Sequence, residues 1–230
     1  MGSITRNGRR AGILYLVFLV VTVFAGIVRT KVVVFDDAAA TAKNIHASEW
    51  LFRVALVSDL VAAVLFLLVA WALYMLLRPV DKDLALLFVL LLLGGVAIQG
   101  LNLLNQSAAL LALSGVGYLH VFRADQLQAL AMLFLDLHRS GFMIAQLFYG
   151  AWLFPLGFLV FKSRLVPRIL GILLMIDGLG VLIWFFQFFL FPGYEAVTYP
   201  GLVASAVAEF SLALWLSVRG ARRLEGEPAV

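Results

Sequence analysis

Residues 1–28, MGSITRNGRRAGILYLVFLVVTVFAGIV, set three arginines before an unbroken apolar run, and the reading of that run decides the fold. A secretory signal peptide also begins this way, but its apolar core spans only about 7–15 residues. The stretch from Ala11 to Val28 is about 18 residues long. As a helix it crosses most of a hydrocarbon core of roughly 30 Å. It is read as a retained first span, because comparable runs recur along the rest of the chain.

Further spans are expected at about 50–77, 84–113, 140–161, 167–191 and 198–218. Between spans one and two, RTKVVVFDDAAATAKNIHASEW (29–50) reads as an outer loop with a short helix. Pro79 closes span two, and the glycines of SGVGYLHVFRAD (114–125) break the chain after span three. From Ala124 to Phe161 no breaker intervenes, and one straight helix there would be about 57 Å long. An outer, partly interfacial helix to about Arg139 is therefore expected, then span four from Ser140. Ser140-Gly141 would form the bend and Pro155 a kink. The fold class is all-α, a polytopic transmembrane helical bundle of six spans with one or two short outer amphipathic helices. It forms a single membrane domain over 1–230.

Composition supports this. The chain has 230 residues, 64% of them hydrophobic and 13% charged, with a mean hydropathy of +1.05. Helices in lipid satisfy their backbone N–H and C=O groups internally, which is why such a chain must be helical. No room remains for a soluble catalytic domain. The absence of cysteine excludes disulfides, thiol catalysis and thiolate metal sites. The net charge of +4 comes from basic residues flanking apolar segments, so it reads as a topology signal and not as a nucleic-acid surface. Six spans put both termini on one side. That side holds Arg6, Arg9, Arg10, Arg78, Lys82, Lys162, Arg164, Arg168, Arg219, Arg222 and Arg223, eleven of the seventeen Lys and Arg. The termini are expected in the cytoplasm.

Polar side chains inside spans are costly and usually face the bundle interior. Span two opens with His46, Glu49 and Arg53 on one face, with Glu49 and Arg53 in the favourable i, i+4 order for an ion pair. Asp59 lies deeper and about 120° away. Span three carries Gln99, Asn102 and Gln106 on one stripe, with Asn105 beside it. Amide stripes of this kind commonly hydrogen-bond between helices, and they also line ligand cavities. In LFLDLHRSGF (133–142), the residues Asp136, His138 and Arg139, with Gln146 further on, fall within an arc of about 160°. Spans five and six contribute Asp177 and Glu209 near their middles. A carboxyl buried without a cation tends to keep its proton. Gly171 and Gly178 would let a neighbour approach span five closely. Span one offers only Thr22 and is expected to face lipid or pack as a wall. Three histidines without HxxxH or HExxH spacing do not compose a metal centre, and neither GxSxG, P-loop nor dinucleotide fingerprint is present. No cofactor and no catalytic residue is assigned.

Five blocks carry a family likeness. DDAAATAKNIHASEWLFR, LYMLLRPVDKDLALL, QLQALAMLFLDLH, KSRLVPRILGILL and AEFSLALWLSVRG resemble, in order, the blocks of a bacterial membrane-protein family known as domain of unknown function 4386. The likeness runs from about Arg10 to Gly220. In the family pattern Asn44, Glu49, Arg53, Asn102, Asp136, His138, Ser163, Pro167, Gly171 and Glu209 stand at recurring positions. The chain departs from it at Trp152, where the pattern has a His. The resemblance implies a protein of six to seven helices in a bacterial inner membrane and brings no reaction with it.

Three functions fit these observations. The first is an outward-facing polar cavity that binds or moves a small solute or protons, lined by Glu49, Arg53, Gln99, Asn102, Gln106, Asp136, His138, Arg139, Gln146, Asp177 and Glu209. The second is a non-catalytic partner or sensor subunit whose polar groups only hold helices together. The third is an intramembrane enzyme acting on lipid or a small polar substrate, with His138 and Asp136 as acid and base. The expected partners are membrane lipids, a small-molecule ligand and another membrane protein, not nucleic acid.

Overall fold

The computed structural model describes residues 3–221. The chain forms α1 (Ser3–Val32), α2 (Ala38–Ala47), α3 (Glu49–Leu77), α4 (Lys82–Ala112), α5 (Ala124–Ser163), α6 (Arg168–Leu190) and α7 (Tyr199–Arg219). Short 3-10 turns, Gly117–Val121 and Glu195–Thr198, precede α5 and α7. Six helices are long and apolar enough to cross a membrane: α1, α3, α4, α5, α6, and α7 together with its preceding turn. The protein is a multi-pass transmembrane helical bundle, with α2 as its short extra helix. Large apolar side chains such as Trp71, Leu101 and Val203 point outward, as lipid contact requires. Arg222 and Arg223 lie outside the described residues.

Two helices differ from expectation. α1 continues past Val28 to Val32, which brings Arg29 into the helix. The expected outer helix to Arg139 and the span from Ser140 are one continuous α5 of 40 residues. At 1.5 Å per residue it is about 60 Å long, twice a hydrocarbon core. The helix runs on without a break through Gly141 and through Pro155. The glycine serves close packing instead, as described below.

The chain divides into two compact units. Unit I gathers Leu65–Val96 and the described parts of Met1–Leu19 and Met143–Val230. Glycines set its helix packing. Gly150 meets Gly178 and Gly157 meets Gly171, so two contacts seven residues apart on antiparallel α5 and α6 lie carbonyl to backbone. A Cβ at Gly157 would stand 2.7 Å from the Gly171 carbonyl oxygen. Small residues of this kind let membrane helices approach closely and gain van der Waals contact. Trp152 is buried, edge-on to Phe66 at 5.3 Å and beside Phe88 at 6.2 Å. It occupies its position as an aromatic core residue.

Unit II comprises Val20–Val64 and Ala97–Phe142. Its apolar core includes Ala25, Val28, Ile45, Phe52, Ala55, Ala109, Ala131 and Leu135. α2 is tied back to the end of α1. Asp37 caps it by accepting from the Ala40 N–H at 2.8 Å. The buried Thr41 hydroxyl oxygen accepts from the Val34 N–H and also donates to the Val34 carbonyl, both at 2.9 Å. Asn44 Nδ2 donates to the Val32 carbonyl at 3.1 Å. The last of these bonds satisfies a carbonyl that the end of α1 would leave open.

Candidate functional site

A chain of polar contacts crosses unit II from α1 to α5. Arg29 of α1 is ion-paired with Asp59 of α3 through Nη1 and Oδ2. The pair is largely buried, with side-chain exposures of 20% and 8%. Asp59 Oδ2 also accepts from Gln106 Nε2 of α4 at 3.3 Å. The same Gln106 nitrogen lies 2.9 Å from His138 Nε2 of α5. His138 Nδ1 stands 3.4 Å from the Asn102 carbonyl and 3.1 Å from Asn102 Nδ2. Asn102 Nδ2 donates to the His138 carbonyl at 2.8 Å and contacts Gln99 Oε1 at 3.4 Å. Asn105 Nδ2 donates to Asn102 Oδ1 at 3.0 Å.

Gln106 joins the two titratable groups. An amide nitrogen can only donate, so Gln106 gives one N–H to the Asp59 carboxylate and one to the His138 Nε2 lone pair. The other imidazole nitrogen, Nδ1, faces both the amide nitrogen of Asn102 at 3.1 Å and the Asn102 carbonyl at 3.4 Å. Gln106 Oε1 is buried and has no hydrogen-bond partner.

Local sequence explains the placement. Asn102 and Gln106 are four residues apart and share a face of α4, so both reach one side of α5. Gly141 opens the way: a Cβ there would collide with Oδ1 and Cγ of Asn102. Its role is to admit an amide to the α5 backbone.

The remaining expected residues divide by face and by unit. Asp136 and Arg139 are exposed, and Arg139 lies over the Phe35 ring at 4.7 Å. Asp136 is two residues from His138, hence about 160° away around the helix. Glu49 and Arg53 are paired at 2.7 Å on the exposed side of α3. Gln146 is buried in unit I, as is Asp177. Glu209, also in unit I, is half-buried and accepts from the Tyr15 hydroxyl at 2.7 Å.

α1 is therefore not a bare wall, because it supplies both Arg29 and Tyr15. Arg29 directly follows the apolar run and reads as a topology signal. Tyr15 reads as one more large side chain within a span. Only a partner on another helix distinguishes either from that plain role, and sequence spacing does not reveal such partners. Among the described residues no three His, Cys, Asp or Glu side chains cluster as metal ligands.

No curated protein matches the chain, and no solved structure does. The model of the family described as a domain of unknown function, DUF4386, matches residues 10–220, nearly the whole chain, and the protein belongs to that family.

Proposed function

We propose that the protein moves protons, or a small protonatable solute, by way of the Asp59–Gln106–His138 network. The Gln106 amide carries this reading. Its nitrogen serves both titratable groups, while its oxygen is buried without a partner. A half-turn of the amide exchanges donor for acceptor at almost unchanged shape. In its present orientation Gln106 suits a carboxylate and a neutral imidazole. Turned over, it would accept from a protonated carboxyl and from an imidazolium N–H. The amide thus links the protonation of Asp59 to that of His138. The groups facing His138 are Gln106 and Asn102 of α4, together with the charge of Arg29 of α1. Of solute and proton, the proton suits a network whose members already touch one another.

In this reading the protein lies in a bacterial inner membrane. Its termini are cytoplasmic, and α2 and the Gly117–Val121 turn face outward. The charge bias of the loops supports that orientation. The test is proton flux into proteoliposomes holding a pH-sensitive dye under an imposed potassium potential. Flux above protein-free vesicles is expected, reduced at least about tenfold by Gln106→Leu, since the relay loses its one bridging group. Flux equal to that of empty vesicles removes the reading.

A second reading, a partner or sensor subunit, draws on the same bonds, which tie α1, α3, α4 and α5 together. It expects Gln106→Leu to lower thermal stability while no flux is seen in the parent protein.

A further inference from the structure

Between α5 and α6, within unit I, the sequence reads KSRLVPR (162–168), with three cations and no acid. Ser163, Leu165 and Val166 are buried, while Arg164 among them is exposed. Two bonds fix this turn. The Ser163 hydroxyl donates to the Val160 carbonyl at 2.9 Å and accepts from the Leu165 N–H at 3.2 Å. Arg164 takes a φ of 54°, in the left-handed region. Glycine is the residue that commonly follows a helix in this conformation, because a Cβ is strained there. The chain nevertheless carries an arginine at this point.

Two further cations lie over aromatic rings of α5. Lys162 Nζ is 6.0 Å from the Phe158 ring centroid. The Arg168 guanidinium, at the start of α6, is 5.5 Å from the Phe161 ring centroid. Phe158 and Phe161 are three residues apart on one side of α5, and both are exposed, as lipid-facing rings are. A cation above such a ring sits where headgroups meet hydrocarbon. Little neutralises these charges. Lys162 lies 3.5 Å from Asp81 of the α3–α4 turn, with both side chains partly exposed. Asp81 and Asp83 are themselves matched in number by Arg78 and Lys82. Among the described residues no carboxylate pairs with Arg164 or Arg168.

We propose that the α5–α6 turn seats the headgroup of an anionic phospholipid, with Lys162, Arg164 and Arg168 around its phosphate and an acyl chain along Phe158 and Phe161. Charge complementarity selects a lipid of net negative charge, such as phosphatidylglycerol, over a zwitterionic one. The exposed rings select a lipid over a free anion. A topology signal needs only cationic charge on this loop. It needs neither an arginine at a left-handed position nor cations placed over lipid-facing rings. The seat shares no residue with the Asp59–His138 network, so it stands whether or not the protein moves protons.

The test is native mass spectrometry of the full chain, released from detergent micelles holding phosphatidylglycerol or phosphatidylcholine of identical acyl chains. Phosphatidylglycerol is expected to stay bound at least about fivefold more than phosphatidylcholine, the factor that one cation near an anionic membrane surface contributes. Arg164→Gly should abolish that preference while leaving the lipid-free melting temperature unchanged or raised, since glycine suits the left-handed position. Arg168→Gln should weaken the preference too, which keeps the proposal testable should Arg164→Gly fail to fold. Arg123→Gln removes an exposed cation at the other end of α5 and should leave the preference intact. Equal retention of the two lipids would overturn the proposal. So would a preference that survives both Arg164→Gly and Arg168→Gln, or one that Arg123→Gln lowers as much. Displacement of phosphatidylglycerol by inorganic phosphate would show an anion site that needs no lipid, and would overturn it as well.

Discussion

The side-chain amide of Asn102 occupies the space in which a Cβ at Gly141 would stand. From that position it donates to the His138 carbonyl at 2.8 Å and reaches the imidazole. Glycine in a helix interior costs about 1 kcal/mol relative to alanine. Gly141→Ala should nevertheless destabilise the protein, by about 1–3 kcal/mol, because it evicts a buried amide from its bonds. Asn102→Ala on top of Gly141→Ala should restore part of the loss by vacating that space. Unfolding in detergent, followed by tryptophan fluorescence, measures both. A more stable Gly141→Ala single variant would contradict the packing described.

Arg29 and Asp59 form the buried end of the same network. Removing one member leaves a charge without its counter-ion, which typically costs about 3 kcal/mol or more, whereas an apolar replacement of both is often near neutral. Asp59→Leu alone should therefore lower the melting temperature more than Asp59→Leu with Arg29→Met. Strictly additive losses in this cycle would argue that the two charges do not act as a pair.

The Glu49–Arg53 pair makes a useful contrast. Its side chains are 47% and 51% exposed. Exposed i, i+4 pairs contribute about 0.3–0.5 kcal/mol. Glu49→Gln and Arg53→Met should each change stability by under about 1 kcal/mol, with no coupling beyond that. Melting curves of the two single variants and the double variant provide the check.

Much of this architecture was legible from the chain alone, and the reason is physical. A bilayer requires long apolar helices, so their number and approximate positions follow from runs such as Ala11–Val28 and Trp50–Leu77. Helix ends were less visible, because Arg29 and the residues up to Val32 are helical although they follow the apolar run. The amide stripe Gln99–Asn102–Gln106 could be read because residues three and four apart share a helical face. Its partners could not. Asp59 and His138 meet Gln106 from two other helices, and Arg29 joins through Asp59 from a third; helix pairing depends on small-residue contacts that one sequence presents without saying which helices they join. The split between Asp136 and His138 was implicit in their spacing. Which of the two turns inward was decided by the gap at Gly141.

Topology can be tested directly, because the chain has no native cysteine. His120 is exposed in the turn between α4 and α5, and Val80 lies in the turn between α3 and α4. With cytoplasmic termini, His120→Cys should react with a membrane-impermeant maleimide in intact cells and Val80→Cys only after lysis. The opposite pattern would invert the proposed orientation.

His138 and Asp136 separate the proposed function from its rival. His138 is buried between Asn102 and Gln106, whereas Asp136 stands on the exposed side of the same helix. Glutamine at 138 can still donate toward the Asn102 carbonyl and accept from Gln106, but it cannot take up a proton. Histidine can. His138→Gln should therefore leave folded yield within about twofold, in the range of tolerated polar replacements, and cut proton flux at least about tenfold. Asp136→Asn should change neither, since its carboxyl touches none of the network. If a partner subunit docks on the exposed face, the pattern reverses: Asp136→Asn abolishes the cellular role and His138→Gln acts only through stability. Yield, melting temperature and flux measured together on these two variants decide between a relay inside the bundle and a docking surface outside it.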